Sequence, residues 1–187
     1  MKSPILLIIG PTAVGKSSVL ERALKDFPQL VDIITYTTRT PRSGESEGNP
    51  YHFVTEEKFK QLIEQKFFVE WALVHGKMYG TPRDQFERAK IEGRVMVIDV
   101  DVQGAKTILR EYPTSETIFI KPPTIDALRQ RFAKRGVTSE ADLNKRLESA
   151  KVELAQASDF HHVVINDDFD SAYAEIRKII EKLLKNQ

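Results

Sequence analysis

A glycine-rich segment near the start of the chain has the residue types and spacing needed to hold phosphate. Residues 10–17 read GPTAVGKS and fit the pattern GxxxxGKS. In this pattern backbone N–H groups surround the phosphates, Lys16 reaches the terminal ones, and Ser17 can ligate Mg²⁺. We therefore predict a nucleoside triphosphate site formed by Gly10, Pro11, Thr12, Ala13, Val14, Gly15, Lys16, Ser17 and Ser18.

The same residues could form a plain glycine turn that leads into a core helix. The flanking sequence favours phosphate binding instead. The five apolar residues 5–9 predict a strand buried on both faces, and residues 17–25 predict a helix. A strand, a glycine loop and a helix in this order form the structural context that the phosphate-binding pattern requires.

Two acidic residues follow a second apolar run. Residues 95–98 predict a buried strand, which leads into Asp99 and Asp101. Ligands of α/β sheets bind at the carboxyl ends of the strands, so Asp99 is placed to act on a metal ion that carries the phosphates. Asp101 could instead cap a helix that starts near Val102.

A third group of residues suggests a second phosphate-bearing substrate. Arg39 and Arg42 lie three residues apart in the hydroxyl-rich segment 35–42. The planar guanidinium group binds phosphate through two hydrogen bonds at once. An arginine pair alone is more typical of a solvated basic loop. Here Tyr51, Glu70 and Tyr79 accompany it and favour a binding pocket.

Composition excludes several other classes of protein. The 187 residues contain 28 Lys and Arg against 27 Asp and Glu, so no global positive field attracts nucleic acid or an anionic membrane. The absence of cysteine excludes disulfides, thiol catalysis and cysteine zinc sites. The apolar run at the N-terminus is too short for a secretion signal or a membrane span. We expect a cytoplasmic protein.

The distribution of apolar runs predicts an α/β fold. Strand-like runs at 5–9, 95–98, 117–120 and 163–165 are each followed by a helical pattern, which indicates a parallel sheet flanked by helices. Residues 33–81 predict a small, mostly β insertion, with a strand at 33–36, a helix near 56–64, and Trp71 in its core. Residues 124–157 predict a helix pair that is broken at Gly136 and could act as a lid.

Taken together, these segments resemble the guanylate kinase family. The matching pieces run in the family's order from residue 5 to about 180, and comprise 10–17, 37–45, 48–53, 68–71, 79–81, 98–104, 120–123 and 164–168. The resemblance implies a single P-loop kinase domain, with a core of residues 1–34, 82–123 and 151–187, a GMP-binding subdomain at 35–81, and a lid at 124–150. It also implies transfer of phosphate from ATP, as co-substrate, to GMP or dGMP with Mg²⁺.

The resemblance further implies roles for individual residues. Arg39, Arg42, Tyr51 and Tyr79 match the family's clamp on the 5′-phosphate of GMP. Glu70 matches the carboxylate that accepts from guanine N1–H and the 2-amino group. Other polar groups of the acceptor site match Thr35, Thr81, Asp99, Asp101 and Arg146.

Catalysis and the donor nucleotide are assigned in the same way. The residues that match charge-stabilising positions are Lys16, Arg39, Asp99, Arg131, Arg135 and Arg146. Ser17 and Asp99 match the metal site, and Asn166 matches the position facing the adenine of ATP.

Two other functions remain open on the sequence. Guanylate-kinase-like scaffold modules bind proteins with the same fold, although they usually have a degraded phosphate loop. A related P-loop kinase could act on another phosphorylated acceptor, although Glu70 and Thr81 speak against it. We expect no nucleic-acid partner, and either a monomer or a homo-oligomer.

Overall fold

Five parallel strands form the central sheet of the protein. The computed structural model describes residues 5–42, 44–74, 76–134, 136 and 139–185. The strands of this sheet are β1 (Ile5–Ile9), β2 (Leu30–Asp32), β8 (Val95–Val100), β9 (Glu116–Lys121) and β10 (His162–Ile165). Their order across the sheet is β10-β9-β1-β8-β2, and every neighbouring pair is parallel. The carboxyl ends of all five strands therefore meet at one edge.

Helices cover both faces of this sheet because its strands are apolar on both sides. On one face, α1 (Lys16–Asp26) and α7 (Phe169–Lys185) bury Val19, Ala23 and Ile176 against the sheet. On the other face lie α3 (Arg83–Ile91) and α4 (Val102–Glu111), which contribute Phe86 and Ile108. Burying a large apolar side chain stabilises the fold by about 1.5–3 kcal/mol, so these two faces hold most of the core.

A second, smaller sheet is formed by residues between β2 and α3. Its strands are β3 (Tyr36–Thr37), β4 (Ser46–Glu47), β5 (Pro50–Phe53), β6 (Phe68–Val74) and β7 (Lys77–Pro82), in the order β4-β5-β3-β7-β6. The helix α2 (Glu56–Glu64) packs Phe59 and Leu62 against Phe68 of β6. Val69 joins the core cluster that contains Val102 of α4, so β6 connects the second sheet to the core.

Two further helices lie against the loop that follows β1. They are α5 (Ile125–Lys134) and α6 (Glu140–Leu154), and a 3-10 helix (Ala157–Asp159) leads from α6 toward β10. Ala13 of the loop is buried in one cluster with Leu128, Phe132, Leu143 and Leu147. The helix pair is thus packed beside the predicted phosphate site.

The predicted α/β fold with a parallel central sheet is confirmed, and two details were wrong. The strand predicted at 33–36 is absent, because β2 ends at Asp32 and β3 begins at Tyr36. The residues around it belong to two different sheets. Trp71, expected in a core, is 50% exposed. It lies on β6 between the buried Glu70 and Ala72, on the opposite face of the strand.

None of the helices in the described ranges is long and apolar enough to cross a bilayer.

Truncating Ile98 should destabilise the fold. Ile98 is fully buried in β8, so Ile98→Ala removes apolar contacts and leaves a cavity, and we expect the free energy of unfolding to fall by about 2–5 kcal/mol. Urea denaturation followed by circular dichroism measures this change. Ile91, at the end of α3, is 86% exposed and provides the matched control Ile91→Ala, with an expected loss below about 0.5 kcal/mol. Equal losses for the two variants would contradict the assigned core.

Candidate active site

The loop between β1 and α1 has a backbone that only glycine adopts easily at two positions. Gly10 and Gly15 have φ angles of +143° and +108°. A Cβ atom at Gly10 would collide with the backbone oxygen of Ile120, and one at Gly15 with the side-chain nitrogen of Asn166. The two glycines of the sequence pattern are therefore required by both conformation and space.

Side chains from two helices and from the loop after β10 bind the backbone carbonyls of this loop. Lys16 donates through Nζ to Gly10 O at 2.7 Å. Arg131 of α5 donates to Val14 O at 3.2 Å, and the Asn166 amide donates to the same oxygen at 2.8 Å. Arg131 also donates to Asn166 O at 2.6 Å. The predicted donor-side residues are thus brought together, and they fix the shape of the loop.

Asp99 lies next to the first residues of α1. The parallel register of β1 and β8 pairs Ile8 with Asp99, so the loop after β1 begins beside this carboxylate. Lys16 Nζ is 3.6 Å from Asp99 Oδ1, and Ser17 Oγ donates to Asp99 Oδ2 at 3.5 Å. Ser18 follows on an exposed face of α1. Hydroxyl and carboxylate oxygens are the donors that Mg²⁺ prefers, so Ser17 and Asp99 fit this cation.

Arg39 is held by an acid and an aromatic ring in the second sheet. Its guanidinium group forms two parallel hydrogen bonds to Glu45, at 2.9 and 3.0 Å, and lies 5.3 Å from the ring centre of Tyr51. The rings of Tyr51 and Tyr79 are in edge contact at 5.8 Å. Glu45 also accepts from the backbone N–H of Arg42 at 2.8 Å, while Arg42 itself is exposed. Four predicted phosphate-binding residues therefore form one cluster around Glu45.

The phenol of Tyr51 stays neutral at physiological pH. Burial raises its pKa above the ordinary value, and the negative charge of Asp99 raises it further. A neutral phenol can donate a hydrogen bond to an anion. The effect of Asp99 on Tyr51 also means that the arginine cluster lies within electrostatic reach of the phosphate loop.

A buried carboxylate lies between β6 and α4. Glu70 is 7% exposed and accepts a short hydrogen bond from the hydroxyl of Thr81 on β7. Burial raises the pKa of Glu70 to about 7, and the negative charge of Asp101 adds to this effect. Asp101 caps α4 by accepting from Gly104 N–H at 2.7 Å. Thr35, also buried, accepts through its backbone oxygen from His52 N–H.

The remaining predicted arginines lie in the helix pair. Arg146 on α6 pairs with Asp142 one turn earlier, with a distance of 2.9 Å from Nε to Oδ2. This contact stays within α6, so it does not join Arg146 to the loop or to the arginine cluster. Arg135 lies outside the described residues.

Sequence reasoning missed three acidic residues near the site. Glu45 orients Arg39, as described above. Burial raises the pKa of Glu153 on α6 to about 7, with Lys16 opposing and Asp101 adding to the shift. Burial and the charge of Asp99 raise the pKa of Asp32 to about 6. Asp32 ends β2, so predicting that strand would have placed this acid at the ligand-binding edge of the sheet.

Comparison with known proteins supports the same family along the whole chain. The family model described as guanylate kinase matches residues 2–183. A guanylate kinase of Bdellovibrio bacteriovorus is 41% identical over 184 residues, which cover 98% of this chain and 100% of that protein. A guanylate kinase of Thermotoga maritima is 38% identical over 191 residues, which cover 100% of this chain and 92% of that protein.

A solved structure agrees with the sequence comparisons. The crystal structure of guanylate kinase from Anaplasma phagocytophilum superimposes with a TM-score of 0.79 at 29% sequence identity, and the match covers 96% of this chain and 85% of that one. The fold, the order of the motifs and the sequence identity all indicate the same family. The chain belongs to the guanylate kinase family.

Proposed function

We propose that this protein transfers the terminal phosphoryl group of ATP to GMP and releases ADP and GDP. The position of Asp99 supports this proposal most directly. Its carboxylate contacts Lys16 and Ser17 of the phosphate loop, and its charge acts on Tyr51 of the arginine cluster. We infer from this that the two proposed phosphate sites adjoin one another, as a direct transfer between two nucleotides requires.

The loop from Gly10 to Ser18 is proposed to hold the phosphates of ATP. The N-terminus of α1 attracts anions through its free N–H groups and its dipole. Lys16 lies at this end of the helix and can exchange its carbonyl partners for a phosphate oxygen. We propose that Asn166, which binds the loop, faces the adenine of ATP, and that Arg131, which binds both the loop and Asn166, acts on the phosphates.

Mg²⁺ is proposed to accompany ATP, with Ser17 and Asp99 as the groups that would hold it. Within the described ranges, no three His, Asp or Glu residues are arranged to hold a metal ion by themselves. Mg²⁺ in kinases commonly uses one or two protein ligands, water and substrate phosphates, which agrees with this small donor set. When bound, it neutralises negative charge on the phosphates.

We propose that Arg39, Arg42, Tyr51 and Tyr79 bind the phosphate of GMP. Arg39 is oriented by Glu45 and by the ring of Tyr51, and Arg42 extends from the same turn. The neutral phenol of Tyr51 adds a donor. Phosphoryl transfer passes through a loose transition state, so holding the acceptor in line matters more than a strong base.

Glu70 is proposed to recognise guanine, with Thr35, Thr81 and Asp101 around it. Guanine offers two adjacent N–H donors at N1 and the 2-amino group, which a carboxylate can accept together. Adenine offers no such pair, so AMP would leave the buried carboxylate without partners. Such a loss of a charged hydrogen bond costs about 1.5–3 kcal/mol.

The division of the chain follows from these roles. We propose a core (1–34, 82–123 and 151–187), a GMP-binding subdomain (35–81) and a lid (124–150) whose Arg131, Arg135 and Arg146 close on the phosphates. Closure expels water, so that GMP and not water receives the phosphoryl group. We further propose that the enzyme works in the cytoplasm.

Removal of the Lys16 side chain should nearly abolish turnover. Lys16→Ala deletes the positive charge proposed to stabilise the phosphoryl group in transit, and we expect kcat to fall by at least about 10²-fold. ADP release in a coupled assay with ATP, Mg²⁺ and GMP measures the change. Lys25→Ala removes an exposed lysine at the other end of α1 and should keep full activity. Full turnover by the Lys16 variant would contradict the proposed role of the loop.

Removal of Glu70 should reduce the preference for guanine. Glu70→Ala deletes the proposed acceptor, and we expect kcat/KM for GMP to fall by about 10- to 100-fold while the weak activity with AMP changes little. The selectivity ratio from the same assay is the measurement. Glu64→Ala, an exposed acid of α2, is the control. An unchanged selectivity ratio for the Glu70 variant would refute the proposed recognition of guanine by Glu70. In the same assay, ADP release by the wild-type protein without any acceptor would indicate an ATPase.

Binding of GMP should weaken at acidic pH because of Glu70. Its raised pKa of about 7 means that the free protein binds a proton there below neutral pH, whereas guanine recognition needs the carboxylate. Affinity for GMP should therefore fall by about tenfold between pH 8 and pH 6 beyond the effect of the GMP phosphate itself. Calorimetric titration of wild type and Glu70→Gln separates the two effects. Equal pH profiles for both proteins would disprove the assignment.

A further inference from the structure

Asp32 ends β2, the strand at the edge of the central sheet next to β8. The parallel register pairs Asp32 with Val97, and the N–H group of Ile33 donates to Val97 O at 3.1 Å. Asp99 is two residues beyond Val97 on β8. Asp32 and Asp99 therefore lie on neighbouring strands, one step apart, at the carboxyl edge of the sheet.

Both acids lie on the face that α1 covers. Leu30 and Val97 belong to the apolar cluster beneath α1, while Val31 packs against the cluster on the opposite face. Side chains alternate along a strand, so Asp32 shares a face with Leu30, and Asp99 shares the same face with Val97. The first residues of α1, Lys16 and Ser17, contact Asp99 on this face.

Two carboxylates placed in this way repel each other. The charge of Asp99 acts on Asp32, and both side chains are partly buried, so water screens the repulsion poorly. Lys16 supplies one positive charge, but it also donates to the oxygens of Gly10 and Pro11. A divalent cation beside Asp99 would relieve the repulsion much more effectively than a single shared ammonium group.

We propose that Asp32 is a second carboxylate for the divalent cation that accompanies ATP, acting beside Asp99 and Ser17. This inference rests on the proposed use of Mg²⁺ with ATP. Mg²⁺ keeps several of its water molecules in such sites, and carboxylates around the water shell raise metal affinity without touching the ion. Asp32 adds negative charge at the one edge where the phosphate loop, Ser17 and Asp99 meet.

A purely structural role is the competing explanation. The backbone N–H of Ile33, which donates to Val97 O, also lies close enough to the Asp32 carboxylate to lower its pKa, and this arrangement could serve only to end β2. The two roles predict different effects on nucleotide binding. A metal-binding acid matters only when the cation is present, whereas a structural acid matters equally with and without it.

The test uses the full chain, a non-hydrolysable ATP analogue, and Mn²⁺ as the metal probe. Affinity for Mn²⁺ in the presence of the analogue is measured by the electron paramagnetic resonance signal of free Mn²⁺. Affinity for the analogue in EDTA is measured by calorimetry. The first variant is Asp32→Asn, which keeps the size of the side chain and an oxygen that can accept from Ile33. The second variant is Asp32→Ser, and the control is Asp170→Asn. Asp170 is an exposed acid in the first turn of α7, so its removal changes net charge equally.

We expect both Asp32 variants to bind Mn²⁺ about tenfold more weakly in the nucleotide complex. Their affinity for the analogue in EDTA should stay equal or rise, because a negative charge near the phosphates is gone. Asp170→Asn should match wild type in both measurements.

Unchanged Mn²⁺ affinity in the Asp32 variants would overturn the inference. Equal losses with Mn²⁺ and in EDTA would also overturn it, in favour of the structural role. A wild-type protein whose nucleotide binding does not respond to metal would instead refute the proposed use of Mg²⁺. GMP phosphorylation by the wild-type protein is assayed separately, because this assay tests the proposed reaction independently of both metal-binding results.

Discussion

The parallel pairing of β1 with β8 determines how the phosphate loop lies relative to Asp99, and the rest of the site is built around these two. Because Ile8 is opposite Asp99, the chain leaves β1 beside this carboxylate and folds into the phosphate loop above it. The loop then enters α1, whose Lys16 and Ser17 turn back to the same acid. A shift of one residue in this register would turn Asp99 to the opposite face of the sheet, away from α1. The eleven residues of the two strands, of which ten are apolar and one is the half-buried Asp99, therefore specify chemistry as well as stability.

Charge balance at this edge depends on groups drawn from separate parts of the chain. The negative charge of Asp101 raises the pKa of both Glu70 and Glu153, and Lys16 opposes the shift of Glu153. Burial raises the pKa of Glu70 and of Glu153 above the value of an ordinary glutamate, so their ionised forms are costly in the folded protein. The cost is largest above pH 7, where both would be ionised. Donors from a bound base would compensate this cost at Glu70, which would make the proposed recognition of guanine favourable as well as selective.

Local sequence was sufficient to predict the phosphate loop but not the groups that surround it. The GxxxxGKS spacing, the strand before it and the helix after it are neighbours in sequence, so their arrangement follows from backbone geometry and apolar patterning alone. The role of Glu45 could not be predicted from its motif, because its hydrogen bonds to Arg39 depend on how the turn at 39–45 closes. Asp32 was missed because β2 has only three residues and gives little periodicity.

Strand β6 also shows that local sequence does not determine which apolar residues are buried. Its sequence contains apolar residues at almost every position, so composition does not tell which face is buried. The structure buries Phe68 and Val69 at the start of the strand, where the register with β7 shifts, and leaves Trp71 and Leu73 exposed. The contact between Val69 and α4 decides this arrangement, and it lies between residues more than thirty positions apart. Patterns within one strand carry no information about such a partner.

The loop also owes its shape to residues that join the chain much later. Val14 O accepts from Arg131 and from Asn166, while Gly10 O accepts from Lys16. Carbonyls that are held by these donors do not face an incoming phosphate, so the loop has less repulsion to overcome and less backbone freedom to lose when an anion binds. Arg131 lies in α5 and Asn166 follows β10, so movement of the helix pair would be transmitted directly to the loop. If the helix pair acts as the proposed lid, its closing and the grip on the phosphates would be one mechanical event, because the same hydrogen bonds join them.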